Sequence, residues 1–270
     1  MISPTAVIFG RDKALAGMVH VAALPGTPKH SMPMAKIVQA AVDEAKLLAD
    51  SGFDSVMIEN MHDAPYLMRD VGPEIIAAMT IIACAVRRAV KVPLGLQVLA
   101  GANHAALAVA HAADFQYIRA EGFVFASVAD EGIMHQADAG PLLRYRKTIN
   151  AEHVKILADI KKKHSSHAIT ADLDISHTAK AAEFFGADGI VITGLATGQA
   201  IKVSDLGTAR VASSLPLVVG SGVDPDSVKD LFAYADALIV GSWYKRDGLW
   251  SNPPCPDRVK QIVNAVHAAR

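Results

Sequence analysis

Short apolar runs alternate with helix-period segments along the whole chain. The runs at residues 17–21, 55–59, 94–99, 116–121, 154–160, 189–193, 217–220 and 237–241 read as strands. Between them, Met34, Ile37, Val38, Ala41, Val42, Ala45 and Leu48 mark one apolar helix stripe, and Val259, Ile262, Val263 and Val266 mark another. The apolar stretch from Ile75 to Val86 reads as a buried helix, too short to span a bilayer. Strict alternation of this kind predicts parallel strands joined by crossover helices. Eight such units in 270 residues fit an α/β fold of the (β/α)8 TIM-barrel type, a single domain over residues 1–270. An open doubly wound sheet is the alternative. A weak repeat supports the barrel. Asp54, Asp114, Asp188 and Asp236 each stand just ahead of an even-numbered strand, where a carboxylate can accept N–H bonds in a tight turn. Pro93 and Pro216 precede two odd-numbered strands and end the helices before them.

Side chains alternate faces along a strand, so each run can be read one face at a time. Assigning Val56 and Ile58 to the helix layer turns Ser55, Met57 and Glu59 inward. The same reading sends Met18, His20, Gln97, Tyr117, Arg119, Glu121, Lys155, Leu157, Asp159, Lys161, Thr193 and Ser221 inward. The polar members gather at strand C-terminal ends, where barrel active sites are built. Buried charges are costly unless paired, so Glu59, Arg119, Glu121, Asp159 and Lys161 either neutralise one another as a plug or meet a ligand.

Glycine-containing turns follow the last three predicted strands. Gly194, Thr197 and Gly198 lie in the first, Gly220, Ser221 and Gly222 in the second, and Gly241 and Ser242 in the third. Backbone that approaches closely at glycine, next to helix N-termini, is suited to a phosphate. Asp224-Pro225 reads as an N-cap and N1 pair starting the next helix.

Composition narrows the function classes. Hydrophobic residues make up 51% of the chain and its formal net charge is -1, which excludes wholesale disorder and gives no electrostatic case for nucleic acid. No secretory leader or membrane span is evident, and two cysteines, Cys84 and Cys255, point to a reducing cytoplasm. No zinc motif or other cofactor motif is present, although Glu59, Asn60, His62 and Asp63 could offer oxygen and nitrogen ligands to a divalent metal. Ala-rich helices with few charges, such as 103–113, predict a homo-oligomer.

Several segments resemble the BtpA/SgcQ family. They are Gly17-Met-Val-His-Val-Ala-Ala-Leu-Pro-Gly-Thr-Pro28, Asp54-Ser-Val-Met-Ile-Glu-Asn-Met-His-Asp-Ala-Pro65, Ile118-Arg-Ala-Glu121, Asp130-Glu-Gly132, Leu142-Leu-Arg-Tyr-Arg146, Ala158-Asp-Ile-Lys161, Gly194-Leu-Ala-Thr-Gly198 and Val219-Gly-Ser-Gly-Val223. Gly95-Leu-Gln-Val-Leu-Ala-Gly-Ala-Asn103 departs from the Asn-rich form of that family. The resemblance implies a phosphate-binding TIM-type barrel. It also implies two functional branches, one tied to photosystem I biogenesis and one described as nucleosidase or sugar-pathway enzymes. It supplies no catalytic residues.

From the residues themselves, the leading expectation is an enzyme acting on a small phosphorylated sugar or nucleoside-type ligand by C–N glycosyl cleavage. Glu59 and Asp159 would be the carboxylates, Arg119 would orient the ligand and His20 would move a proton, with Glu121 beside them. A Schiff-base lyase through Lys161 is the alternative within enzymes. A non-catalytic assembly or stability factor for a membrane complex is the alternative outside them.

Overall fold

In the computed structural model, which describes residues 2–162, 164–194 and 201–270, eight parallel strands close into a barrel. They are β1 (Ala14–His20), β2 (Ser55–Glu59), β3 (Leu94–Gln97), β4 (Tyr117–Ala120), β7 (Lys155–Ile160), β9 (Gly189–Ile192), β10 (Leu217–Val219) and β11 (Ala237–Val240). Each pairs with its sequence neighbour in the barrel, and β11 returns to β1 through Ala14↔Ala237. Every predicted strand is present, mostly one or two residues shorter at its C-terminal end. The closed order replaces the open-sheet alternative.

Around the barrel pack α2 (Met34–Asp50), α3 (Pro73–Ala89), α4 (Asn103–Ala112), α5 (Ala139–Thr148), α6 (Ile175–Phe184), α7 (Val203–Ala212), α8 (Val228–Phe232) and α9 (Pro256–Ala269). Their stripes do what the periodicity predicts: Ile37, Ala41, Ala45 and Leu48 of α2 are buried, as are Val259, Ile262, Val263 and Val266 of α9. Most apolar residues of α4 are buried within the chain. No helix among the described residues is long and apolar enough to cross a membrane.

The N-terminal end of the barrel is plugged by α1 (Pro4–Phe9), which starts at a Ser3 cap with Pro4 in the first turn. Its Ile8 and Phe9 join Ala14, Ala16, Met18, Met57, Tyr117, Leu157, Val191, Val218, Ala237 and Ile239 in the interior cluster. The Phe9 and Tyr117 rings meet at 5.0 Å. Tyr117 fits because Gly95 faces it; a Cβ there would lie 2.2 Å from the ring.

The aspartate repeat has a definite job at this end. Asp54 Oδ2 accepts from Leu15 N at 2.7 Å, Asp188 Oδ2 from Ile156 N at 2.9 Å, and Asp236 Oδ2 from Leu217 N at 2.8 Å. Each carboxylate thus ties its strand to the preceding one, and each also meets an arginine: Arg270, Arg146 and Arg210. The fourth member differs. Asp114 takes a positive φ of 56° in the turn, and Gln116 Oε1 accepts from Leu94 N at 2.8 Å in its place, with Arg87 as the cation-side donor.

On the opposite end, the loops after β4 and β7 build a small antiparallel sheet. It consists of β5 (Ser127–Ala129), β6 (Gly132–Met134) and β8 (Ser165–Ser166).

Candidate active site

The strand period of two sorts the interior into layers. Met18, Met57, Tyr117 and Leu157 fill the apolar layer, and the next inward residues, His20, Glu59, Arg119 and Asp159, reach the C-terminal mouth. In register, His20 stands opposite Glu59 and Glu59 opposite Gln97, so three polar side chains share one level of β1, β2 and β3. A cavity of about 420 Å³ opens above them.

Its floor is charged but largely paired. Arg119 donates through Nε to Asp159 Oδ1 at 2.7 Å and through a terminal nitrogen to Oδ2 at 2.8 Å. Burial opposes the Arg119 charge, but the Asp159 charge and hydrogen bonds outweigh it and hold its pKa above the ordinary value. Lys162 Nζ lies 2.9 Å from Glu121 Oε2. Burial works against this ammonium too, and Glu121 more than compensates, raising its pKa. Gln97 Nε2 donates to Glu121 Oε1 at 3.1 Å.

His20 Nδ1 sits 3.0 Å from the Trp250 carbonyl oxygen, which can only accept. That contact assigns the proton to Nδ1 in the neutral ring and turns Nε2 toward Gly241, where a Cβ would come within 3.0 Å of it. Trp250 also meets the His62 ring at 4.8 Å, and burial followed by the nearby Lys245 and Lys29 charges lowers the His62 pKa.

The Glu59-Asn60-His62-Asp63 segment is built as a latch. Asn60 Oδ1 accepts from Leu99 N at 2.7 Å, its amide donates to Asp63 Oδ2 at 2.8 Å, and Asp63 Oδ1 accepts from Leu24 N at 2.8 Å. The loops after β1, β2 and β3 are tied together this way. Among the described residues no group of three or more His, Cys, Asp or Glu side chains is arranged to hold a metal ion.

Of the expected anion-binding positions, Gly220, Ser221, Gly222, Gly241 and Ser242 line the cavity. Gly194 is buried at the end of β9 and is not among the lining residues, and Thr197 and Gly198 lie outside the described residues. The Gly241–Ser242 turn is anchored from behind. Buried Lys245 pairs with Glu44 of α2, its N–H donates to Ser242 O at 3.1 Å, and the Tyr244 hydroxyl donates to Met18 O. Asp224 caps the following turn by accepting from Ser227 N at 2.8 Å, so α8 starts at Val228, three residues later than the Asp-Pro pair implies.

Lys161 is a correction. The strand ends at Ile160, and Lys161 takes a positive φ of 48°, which breaks the inward-outward alternation. Its Nζ donates to Thr170 O at 3.2 Å, outside the mouth, and it is Lys162 that enters the cavity. Asp159 accordingly pairs with Arg119 and not with Lys161. Asp130 and Glu131, read from the sequence only as part of a resemblance segment, and His164, noted only as a histidine following the fifth strand, are brought to the rim by the small sheet, with His164 Nδ1 3.5 Å from Asp130 Oδ2. The signal for the first two was Asp130-Glu-Gly132 between Val128 and Ile133, a short hairpin pattern.

A family model described as the BtpA family matches residues 11–268. An uncharacterised mitochondrial protein of Caenorhabditis elegans is 40% identical over 259 residues, covering 94% of this chain and 93% of its own. The photosystem I biogenesis protein BtpA of Synechocystis is 33% identical over 259 residues, covering 96% and 89%. Among solved structures, thiamine phosphate pyrophosphorylase from Pyrococcus furiosus superposes with a TM-score of 0.60 at 11% identity, over 95% of this chain and 96% of its own. That likeness concerns the fold.

Proposed function

The chain belongs to the BtpA family, and from that premise we propose that it is an enzyme cleaving a C–N glycosyl bond in a small phosphorylated sugar or nucleoside-type ligand. The observation that carries the reading is that Glu59, Asp159 and His20 share one cavity with the Gly220–Gly222 and Gly241–Ser242 turns. Loops after the last two barrel strands are where this fold characteristically holds phosphate. A solved barrel of the same fold carries thiamine phosphate in its name.

Hydrolysis adds water to the anomeric carbon, breaks the bond to nitrogen and delivers a proton to that nitrogen. Glu59 takes the proton from water. Asp159, fixed in orientation by two nitrogens of Arg119, stands ready for positive charge developing on the sugar ring. Arg119 orients Asp159 through these two bonds and, as a lining residue of the same cavity, orients the ligand as well. His20 moves a proton at Nε2, its ring fixed by the Trp250 carbonyl.

Incubation of the purified chain with a panel of nucleosides and nucleoside 5′-monophosphates, read by chromatography of the free base, tests this. Base release that disappears in Glu59→Gln supports it, and no release from any member of the panel overturns it. A second reading, an assembly factor for a membrane complex, draws on the name of the Synechocystis relative. It also draws on Phe184 and Val211, 84% and 91% exposed at the ends of α6 and α7. Specific retention on membranes without turnover would favour it.

A further inference from the structure

The chain contains two tryptophans, Trp243 and Trp250, and both line the mouth. Both are half-buried, as are Met61 and Tyr66 beside the same cavity, so an apolar, largely aromatic wall faces its open space. Each indole is held in place. The Arg258 guanidinium covers one face of Trp243 at 4.3 Å, and its Nε donates to the Trp243 carbonyl at 2.6 Å. The Trp250 carbonyl accepts from His20 Nδ1, and its ring meets the His20 ring edge-on at 6.0 Å and the His62 ring at 4.8 Å. Trp250 therefore stands on the β1–β2 side of the mouth, where His20 and Glu59 are in register.

Charge adds a second criterion. Among the described lining residues, Glu59, Glu121, Asp130, Glu131, Asp159 and Asp224 set six carboxylates against two fixed cations, Arg119 and Lys162. Burial, and then the charges of Glu59, Glu131, Asp63 and Glu121, push the Tyr66 hydroxyl above its ordinary pKa, so the negative field reaches the aromatic wall.

We infer that this wall is the subsite for the leaving group, a planar nitrogen heterocycle that carries no negative charge and stacks on Trp250. The inference rests on the reading that a C–N glycosyl bond is cleaved in the mouth, and it names the nitrogen side of that bond. A flat π ring lying offset on an indole covers its apolar face. The carboxylates tolerate a neutral ring, attract a cationic one and repel an anionic one. When the bond breaks, its electron pair passes to the ring nitrogen. A neutral ring then takes up one proton and a cationic ring leaves neutral with none, the proton from water going to Glu59 in both cases.

Two tryptophans give two indole N–H resonances, so titration of isotope-labelled protein by nuclear magnetic resonance reads the wall directly. Adenine and nicotinamide should shift the Trp250 resonance saturably. Nicotinate, which differs from nicotinamide mainly in charge, should bind about tenfold or more weaker, and ribose should leave the resonance in place. Trp250→Ala should weaken adenine binding by roughly fivefold to a hundredfold, the value of one base–aromatic stack, and Trp250→Phe should retain most of it. The Trp243 resonance, kept in both variants, reports that the mouth is folded, and the wild-type titrations need no variant at all. Ring affinity indifferent to Trp250→Ala, nicotinate bound as tightly as nicotinamide, ribose shifting Trp250 as adenine does, or no ring binding overturns the subsite. Ring binding that needs Trp250, without base release from any nucleoside, would uphold it while removing the hydrolytic reading.

Discussion

Arg119 lays two arms of its guanidinium on both oxygens of Asp159, joining the C-terminal ends of neighbouring strands β4 and β7 through a buried ion pair at the floor of the mouth. A buried pair of this kind stabilises little by being there, but breaking it strands a charge, at a cost of about 3–5 kcal/mol. Asp159→Asn should therefore melt earlier than the wild type and also lose roughly 10²–10⁴ in turnover per folded molecule. The double variant Arg119→Met, Asp159→Leu should recover much of the melting temperature and none of the turnover. Full turnover in folded Asp159→Asn would reduce the pair to a structural plug.

The aspartate repeat makes a graded prediction at the other end of the barrel. Asp54→Ala, Asp188→Ala and Asp236→Ala each remove the acceptor of a strand N–H and an arginine's partner, and each should cost about 1–3 kcal/mol in urea unfolding. Asp114→Ala should lose no strand hydrogen bond, since Gln116 holds the equivalent N–H, and should cost at most about 1 kcal/mol, from placing alanine at a left-handed φ. Equal costs at all four positions would contradict the assigned roles.

What could be read beforehand divides along the same lines. The eight strands and their inward residues were legible because parallel barrel strands carry a strict period of two between helices of period 3.6. The Asp repeat was visible too, but not its cross-strand target, which depends on the neighbouring strand's position. Lys161 shows where the pattern fails. Alternation holds only while the backbone stays extended, and a left-handed residue just past Ile160 passes the inward role to Lys162. The Asp130–Glu131 hairpin reaches the mouth by pairing with β8, a long-range contact that no local spacing encodes.

Gly95→Ala should destabilise the barrel by about 1–3 kcal/mol, because the added methyl would enter the Tyr117 ring. Combining it with Tyr117→Leu should recover part of the loss in thermal melts. A tolerated single substitution would mean that the ring moves freely in the interior.

His62 links stability to pH. Its folded pKa lies below the ordinary 6.5, so the unfolded chain binds the proton more readily. The His62 contribution is fully present above pH 6.5 and is lost as the pH falls through 6.5 toward the folded value. His62→Gln should consequently lose less stability than the wild type between pH 7.5 and 5.5 in denaturant titrations. Identical losses in the two proteins would contradict the shift.

The central claim is that the mouth holds a phosphorylated sugar with its anion on the last two glycine turns and its ring toward the buried carboxylates. A crystal structure of the chain with ribose 5-phosphate tests it most directly. The account predicts the phosphate on backbone N–H groups of the Gly220–Gly222 and Gly241–Ser242 turns, with the anomeric carbon facing Glu59 and Asp159. An empty mouth at saturating ligand, or a sugar phosphate bound elsewhere with these turns bare, would contradict it.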